Sequence, residues 1–129
     1  MGMDQKVTFP ADSAPTWPRL RELLATRSLP SQLRMIDGEL AFPDEEPHEA
    51  WRELRVGTAL GMVTLRREED GIRLVTWGNA DERLRQAWNA LTWAIAKLSG
   101  GTIESVSGRI GADEFARTAE LPAEVIGEK

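Results

Sequence analysis

Two Asp-Gly dipeptides, Asp37-Gly38 and Asp70-Gly71, each stand between runs in which apolar and polar residues alternate. Asp-Gly accepts the positive φ angles of a type I′ turn, whose twist suits paired strands. The segment LRMI-DG-ELAF therefore reads as a hairpin, Leu33–Ile36 against Glu39–Phe42. With a two-residue loop the register pairs Met35 with Leu40 and Leu33 with Phe42. These four then share one face, and Arg34, Glu39 and Ala41 share the other. A third strand is expected over Trp51–Thr58, with Leu54 and Val56 on one side and Trp51, Glu53 and Arg55 on the other. The run GMVTLRREEDGIRLVTWG reads as a second hairpin turning at Asp70-Gly71. Its core face is Val63, Leu65, Ile72 and Leu74, and its opposite face Met62, Thr64, Arg66, Val75 and Trp77.

Helical spacing flanks these strands. Trp17, Leu20, Leu23 and Leu24 recur at threes and fours, with Pro18 in the first turn and Pro30 just beyond, giving a short amphipathic helix over Trp17–Arg27. A longer helix is expected over Asp81–Leu98, entered through a capping-box pattern (Asn79, Glu82) and closed by Gly100-Gly101. Its core stripe is Leu84, Trp88, Leu91, Ile95 and Leu98. Thr102–Ser107 is a candidate edge strand and Asp113–Ala119 a candidate short helix. Residues 1–15 lack apolar periodicity and read as a flexible N-terminal arm. The expected fold is thus α+β: an antiparallel four- to five-stranded sheet, the long helix packed on one face, and the short N-terminal helix at an end or on the other face. Residues 16–107 form the single domain, and 108–129 a C-terminal tail that could pack on the long helix.

Composition narrows the function. Sixteen Lys and Arg against 21 Asp and Glu give a net charge of −5, which disfavours attachment to nucleic acid or to anionic membranes, both of which need a basic surface. The uncharged run Gln86–Ala96 is far shorter than a membrane span. A cytoplasmic setting is expected. No cysteine is present, so thiolate chemistry and disulfides are out. His48 is the sole imidazole and lies in the acidic loop DEEPHE. The carboxylates there match no metal-ligand spacing, and none of the serines sits in a nucleophile elbow. Neither a catalytic residue, a metal nor a cofactor is indicated.

Five tryptophans without a tyrosine are the unusual feature. Trp17 and Trp88 fall on the apolar stripes of their helices. Trp51 and Trp77 share a strand face with Arg55 and Arg66, an array of indoles and guanidiniums that can bind an anionic or aromatic group if the N-terminal helix does not cover it. Trp93 lies opposite the Leu84–Leu98 stripe, beside Asn89 and Ala90, and needs another cover. That cover is either the C-terminal tail, through Phe115, Leu121, Val125 and Ile126, or the same helix of a second copy. The expected function is a non-catalytic protein-interaction module, homodimeric and binding a protein or peptide. The alternative is a small-ligand domain or enzyme with an Arg/Trp anion site on the sheet.

Overall fold

A computed structural model describes residues 2–42, 44–77, 79–105 and 108–126. Along the chain these form β1 (Gly2–Thr8), α1 (Trp17–Thr26), β2 (Ser31–Ile36), β3 (Glu39–Leu40), β4 (Glu53–Thr58), β5 (Gly61–Glu68) and β6 (Gly71–Trp77). There follow α2 (Glu82–Ser99), β7 (Thr102–Ser105), β8 (Gly108–Gly111), α3 (Ala112–Thr118) and α4 (Ala123–Ile126). The strands make one antiparallel sheet of eight in the order β3-β2-β4-β5-β6-β1-β7-β8. The α+β class and antiparallel pairing are as expected, but the sheet is larger than the four or five strands anticipated.

The additional strands come from the two ends of the chain. The segment read as a flexible arm is β1, which lies inside the sheet between β6 and β7. Its alternation is hidden because the inward positions are Gln5 and Val7, and a polar Gln5 breaks the apolar period. The candidate edge strand is β7, flanked by β1 and β8; residues 106 and 107 of that expectation lie outside the described ones.

Both hairpins form, each with one departure. Asp37 (φ +50°) and Gly38 (φ +86°) make the I′ turn, and Met35 faces Leu40 as the loop length requires. Between Leu33 and Met35, however, the β2–β4 register shifts at a bulge. A bulge inserts one residue and switches the faces of the residues after it. Leu33 goes into the core, whereas Met35 stands beside Arg55 on the other face. In the second hairpin the loop is Glu69-Asp70, so Leu65 faces Leu74. This is two residues away from a turn at Asp70-Gly71, which leaves each side chain on its expected face. Gly71 instead makes room for a neighbouring strand. A Cβ there would run into the carbonyl oxygen of Val7, so its bareness admits β1 alongside.

One face of the sheet is buried. Val7, Leu33, Leu54, Val56, Val63, Leu65, Ile72, Leu74 and Ile103 form one core beneath the helices, where α2 crosses β5, β6, β1 and β7. The Asp81 carboxylate caps α2 by accepting the Leu84 N–H at 2.9 Å, in place of Asn79, and Gly100 (φ +70°) ends it in a left-handed turn. Helix α1 packs on α2 and β2, and α3 on α2, β7 and β8. The N-terminal helix therefore shares the face of the long helix rather than covering the opposite one, and the second sheet face stays open.

Candidate binding surface

The open face follows from the strand register. Row by row, Glu53 of β4 faces Arg66 of β5, Arg66 faces Arg73 of β6, Arg73 faces Lys6 of β1, Lys6 faces Glu104 of β7, and Glu104 faces Arg109 of β8. Cross-strand neighbours sit about 5 Å apart, so these charges must pair or repel. They pair. Arg66 Nε lies 3.1 Å from Glu53 Oε2, and Arg73 reaches Glu68 at 2.8 Å and Asp4 at 3.2 Å. Lys6 bridges Glu68 and Asp70, and Arg109 meets Glu104. Hydrogen bonds from Arg73 and Lys6 hold the Glu68 carboxyl below its ordinary pKa, and Lys6 does the same for Asp70. In return Asp70 and Glu68 raise Lys6, and Glu68 raises Arg73.

Toward the β2–β3 edge the same face changes character. Met35, Leu40, Arg55, Thr64 and Val75 form one row across it, and Gln32, Gly57 and Met62 the next. Leu40 is 87% exposed and Met62 47%, with Phe42, just past the edge strand, at 75%. Among the described residues neither Arg34 nor Arg55 has a carboxylate within ion-pair distance. Arg34 lies flat on the sheet because Gly57 has no side chain: a Cβ at Gly57 would stand 3.1 Å from both Cγ and Cδ of Arg34. A shallow depression of about 560 Å³ opens here, with Gln32, Arg34, Gly57, Thr58 and Met62 in its wall and no acid in its lining. Beyond Arg34, whose carbonyl accepts the Ala41 N–H, the outer edge of β2 carries no further strand partner among the described residues.

The expected Trp/Arg array is not assembled. Arg55 and Arg66 do lie on the open face, but Arg66 is engaged by Glu53, and Trp51 is buried on the helix side. Trp51 shares parity with Glu53 and Arg55, yet it precedes β4, and strand alternation does not extend back into the loop. Asp37 decides its direction. Its Oδ1 accepts the N–H groups of Arg52 and Glu53 at 2.8 and 2.9 Å, pinning the entry to β4 against the hairpin turn. Those two bonds, with a smaller contribution from the nearby His48, also lower the Asp37 pKa. Arg67 then lies 4.2 Å over the indole of Trp51 and donates to the Glu49 carbonyl at 2.6 Å. Burial lowers the pKa of Arg67, and the charge of Asp37 opposes that shift. The backbone of Trp77 ends β6 opposite Gly2, and its side chain lies outside the described ones.

Trp93 is 4% exposed, and its own chain covers it. Arg27 at the end of α1 stacks 5.2 Å over the indole and donates to the Val125 carbonyl at 3.0 Å. Asn89 and Ala90 are buried on the same side, where Asn89 Nδ2 donates to the Glu120 carbonyl at 3.0 Å. Of the two covers weighed for this face, the C-terminal segment occupies the position through Phe115 and Val125, both buried; the Ile126 side chain lies outside the described ones. Trp17 is buried, and Trp88 is half-buried with its Nε1 donating to the Leu74 carbonyl at 3.0 Å.

Arg34 and Leu40 were missed as site residues. The signal for Leu40 was its place beside a two-residue loop at a sheet edge; for Arg34 there was none, because a bulge leaves no mark in the sequence. Among the described residues no group of three or more His, Asp or Glu could hold a metal ion, and no helix is long and apolar enough to cross a membrane. The molecule belongs to the class of two-layer α+β proteins in which helices cover one face of an antiparallel sheet. A scan against protein-family models and searches of curated proteins and of solved structures find no match to this chain.

Proposed function

We propose that this protein is a non-catalytic interaction module whose contact surface is the unneutralised part of the open face together with the β2–β3 edge. The observation that carries the reading is the concentration of Leu40, Met62 and Phe42 beside Arg34 and Arg55, on a sheet whose other open-face charges are paired. Exposed apolar side chains grouped around unpaired guanidiniums suit a partner that brings apolar and acidic groups together. An extended segment fits best. It can add main-chain hydrogen bonds along the outer edge of β2, while its alternate side chains meet Leu40 and Arg55. The partner is therefore an extended peptide in which apolar residues alternate with Asp or Glu.

Panning a library of random 12-residue peptides against the folded chain tests this. Enriched sequences should alternate apolar and acidic residues, and Arg55→Glu or Leu40→Asp should each weaken their binding at least tenfold with the fold intact. Absence of enrichment, or enriched peptides indifferent to both substitutions, defeats the reading. The small-anion alternative survives in narrower form at the depression beside Arg34, and saturable binding of free dicarboxylates, lost in Arg34→Ala, would favour it.

A further inference from the structure

The outer side of α2, between α1 and α3, carries side chains arranged to hold a polypeptide main chain. Asn89 is an amide in the middle of a helix and nearly buried. Gln5 of β1 donates from below to Asn89 Oδ1 at 3.0 Å and to the Thr92 hydroxyl at 2.8 Å, and that hydroxyl donates in turn to the Trp88 carbonyl. With its oxygen engaged from within, Asn89 presents its NH₂ group outward, where it meets the backbone carbonyl of Glu120. Arg27 works in the same way from α1, lying on Trp93 while donating to the backbone carbonyl of Val125. Both anchors address main-chain carbonyls, so they place few demands on the side chains of whatever lies there.

The segment seated on them is lightly held. Among the described side chains of residues 112–125, Phe115 and Val125 are buried, Ala112, Ala116, Ala119 and Leu121 are half-buried against the core, and most of the rest are exposed. Helix α3 has seven residues, well below the length at which a helix persists alone. The ion pairs that tie the segment down, Arg85–Glu120 and Lys97–Asp113, are solvent-exposed and weak. The rest of the fold, with α2 packed on the sheet and α1 on α2, does not pass through this segment.

We infer that the face of α2 bearing Trp93, Ala90 and Asn89 is a peptide-binding groove occupied in cis by residues 112–126. A partner segment of the same chemistry, two apolar anchors about ten residues apart with accessible carbonyls between them and at the second anchor, displaces it. The site is independent of the open sheet face, and the segment acts as a built-in competitor.

The probe is a fluorescent synthetic peptide with the sequence of residues 112–126, titrated into the full chain and into the full chain carrying Phe115→Ser and Val125→Asp. The substituted chain should stay folded by circular dichroism and bind the peptide at least tenfold more tightly than the native chain. Adding Asn89→Ala or Arg27→Ala should remove most of that gain. In the native chain, amide hydrogens of 112–118 should exchange at least a hundredfold faster than those of β5 and β6. Loss of the folded state in the substituted chain, absence of peptide binding by a folded one, or exchange of 112–118 at the rate of global unfolding would each overturn the inference.

Discussion

The two faces of the sheet are built from the same eight strands, residue by alternate residue, and differ in what must be satisfied. Against the helices most positions are buried and apolar, and the polar groups Gln5, Asn89 and Thr92 appear there as a hydrogen-bonded chain. On the open face the side chains reach solvent, so charge pairing and exposed apolar groups are both tolerated. Sensitivity to substitution should follow: large and independent of salt beneath α2, small and salt-dependent above, with the Leu40–Arg55 quarter mattering for binding alone.

The largest effect is expected from Leu74→Ala, which hollows the sheet under α2 and should lower unfolding free energy by about 2–5 kcal/mol in urea titration, whereas Val75→Ala next to it should cost less than about 1 kcal/mol. Equal losses at the two positions would mean that the second face is covered after all. Next comes Gly71→Ala. Its methyl group meets the Val7 carbonyl, so β1 must move, at a cost of roughly 2–4 kcal/mol with faster amide exchange in β1. Gly38→Ala has open space around it and bears only the strain of positive φ, about 1–2 kcal/mol. Smaller again is Arg67→Ala, which uncovers Trp51 and should cost about 0.5–1 kcal/mol with a red shift of tryptophan emission.

The ion-pair lattice comes last. Glu68 and Asp70 have depressed pKa values, so the stability they add is present above the ordinary carboxylate range and fades as pH falls through their folded values. Lys6 is raised, so its share persists below the ordinary lysine value of 10.5 and disappears as pH climbs past the folded one. Glu68→Gln should flatten the acid limb of a stability–pH curve and cost about 0.2–1 kcal/mol at pH 7, shrinking with added salt. A loss that is insensitive to salt would show that this part of the face is not in water.

Much of the central architecture could be read from residues alone. The I′ turn at Asp37-Gly38, the face assignments of β5 and β6, and the two principal helices all rest on local chemistry or on a period that a few consecutive residues reveal. The ends of the chain could not be read in that way. Strand β1 has a polar residue at an inward position, and its pairing with β6 joins residues some seventy positions apart. The site was legible in part. Arg55 and Arg66 were placed on the right face, but whether each is free depends on Glu53 reaching one and not the other.

Local sequence thus determined which segments turn, extend or coil, since φ preferences and apolar periods act over a few bonds. Long-range packing decided the rest: the bulge that sends Leu33 and Met35 to opposite faces, the rotation of Trp51 into the core, and the fold-back of the C-terminal segment onto Trp93. Each of those depends on which distant groups come within a few ångströms, and that distance is set by the assembled sheet and helices together.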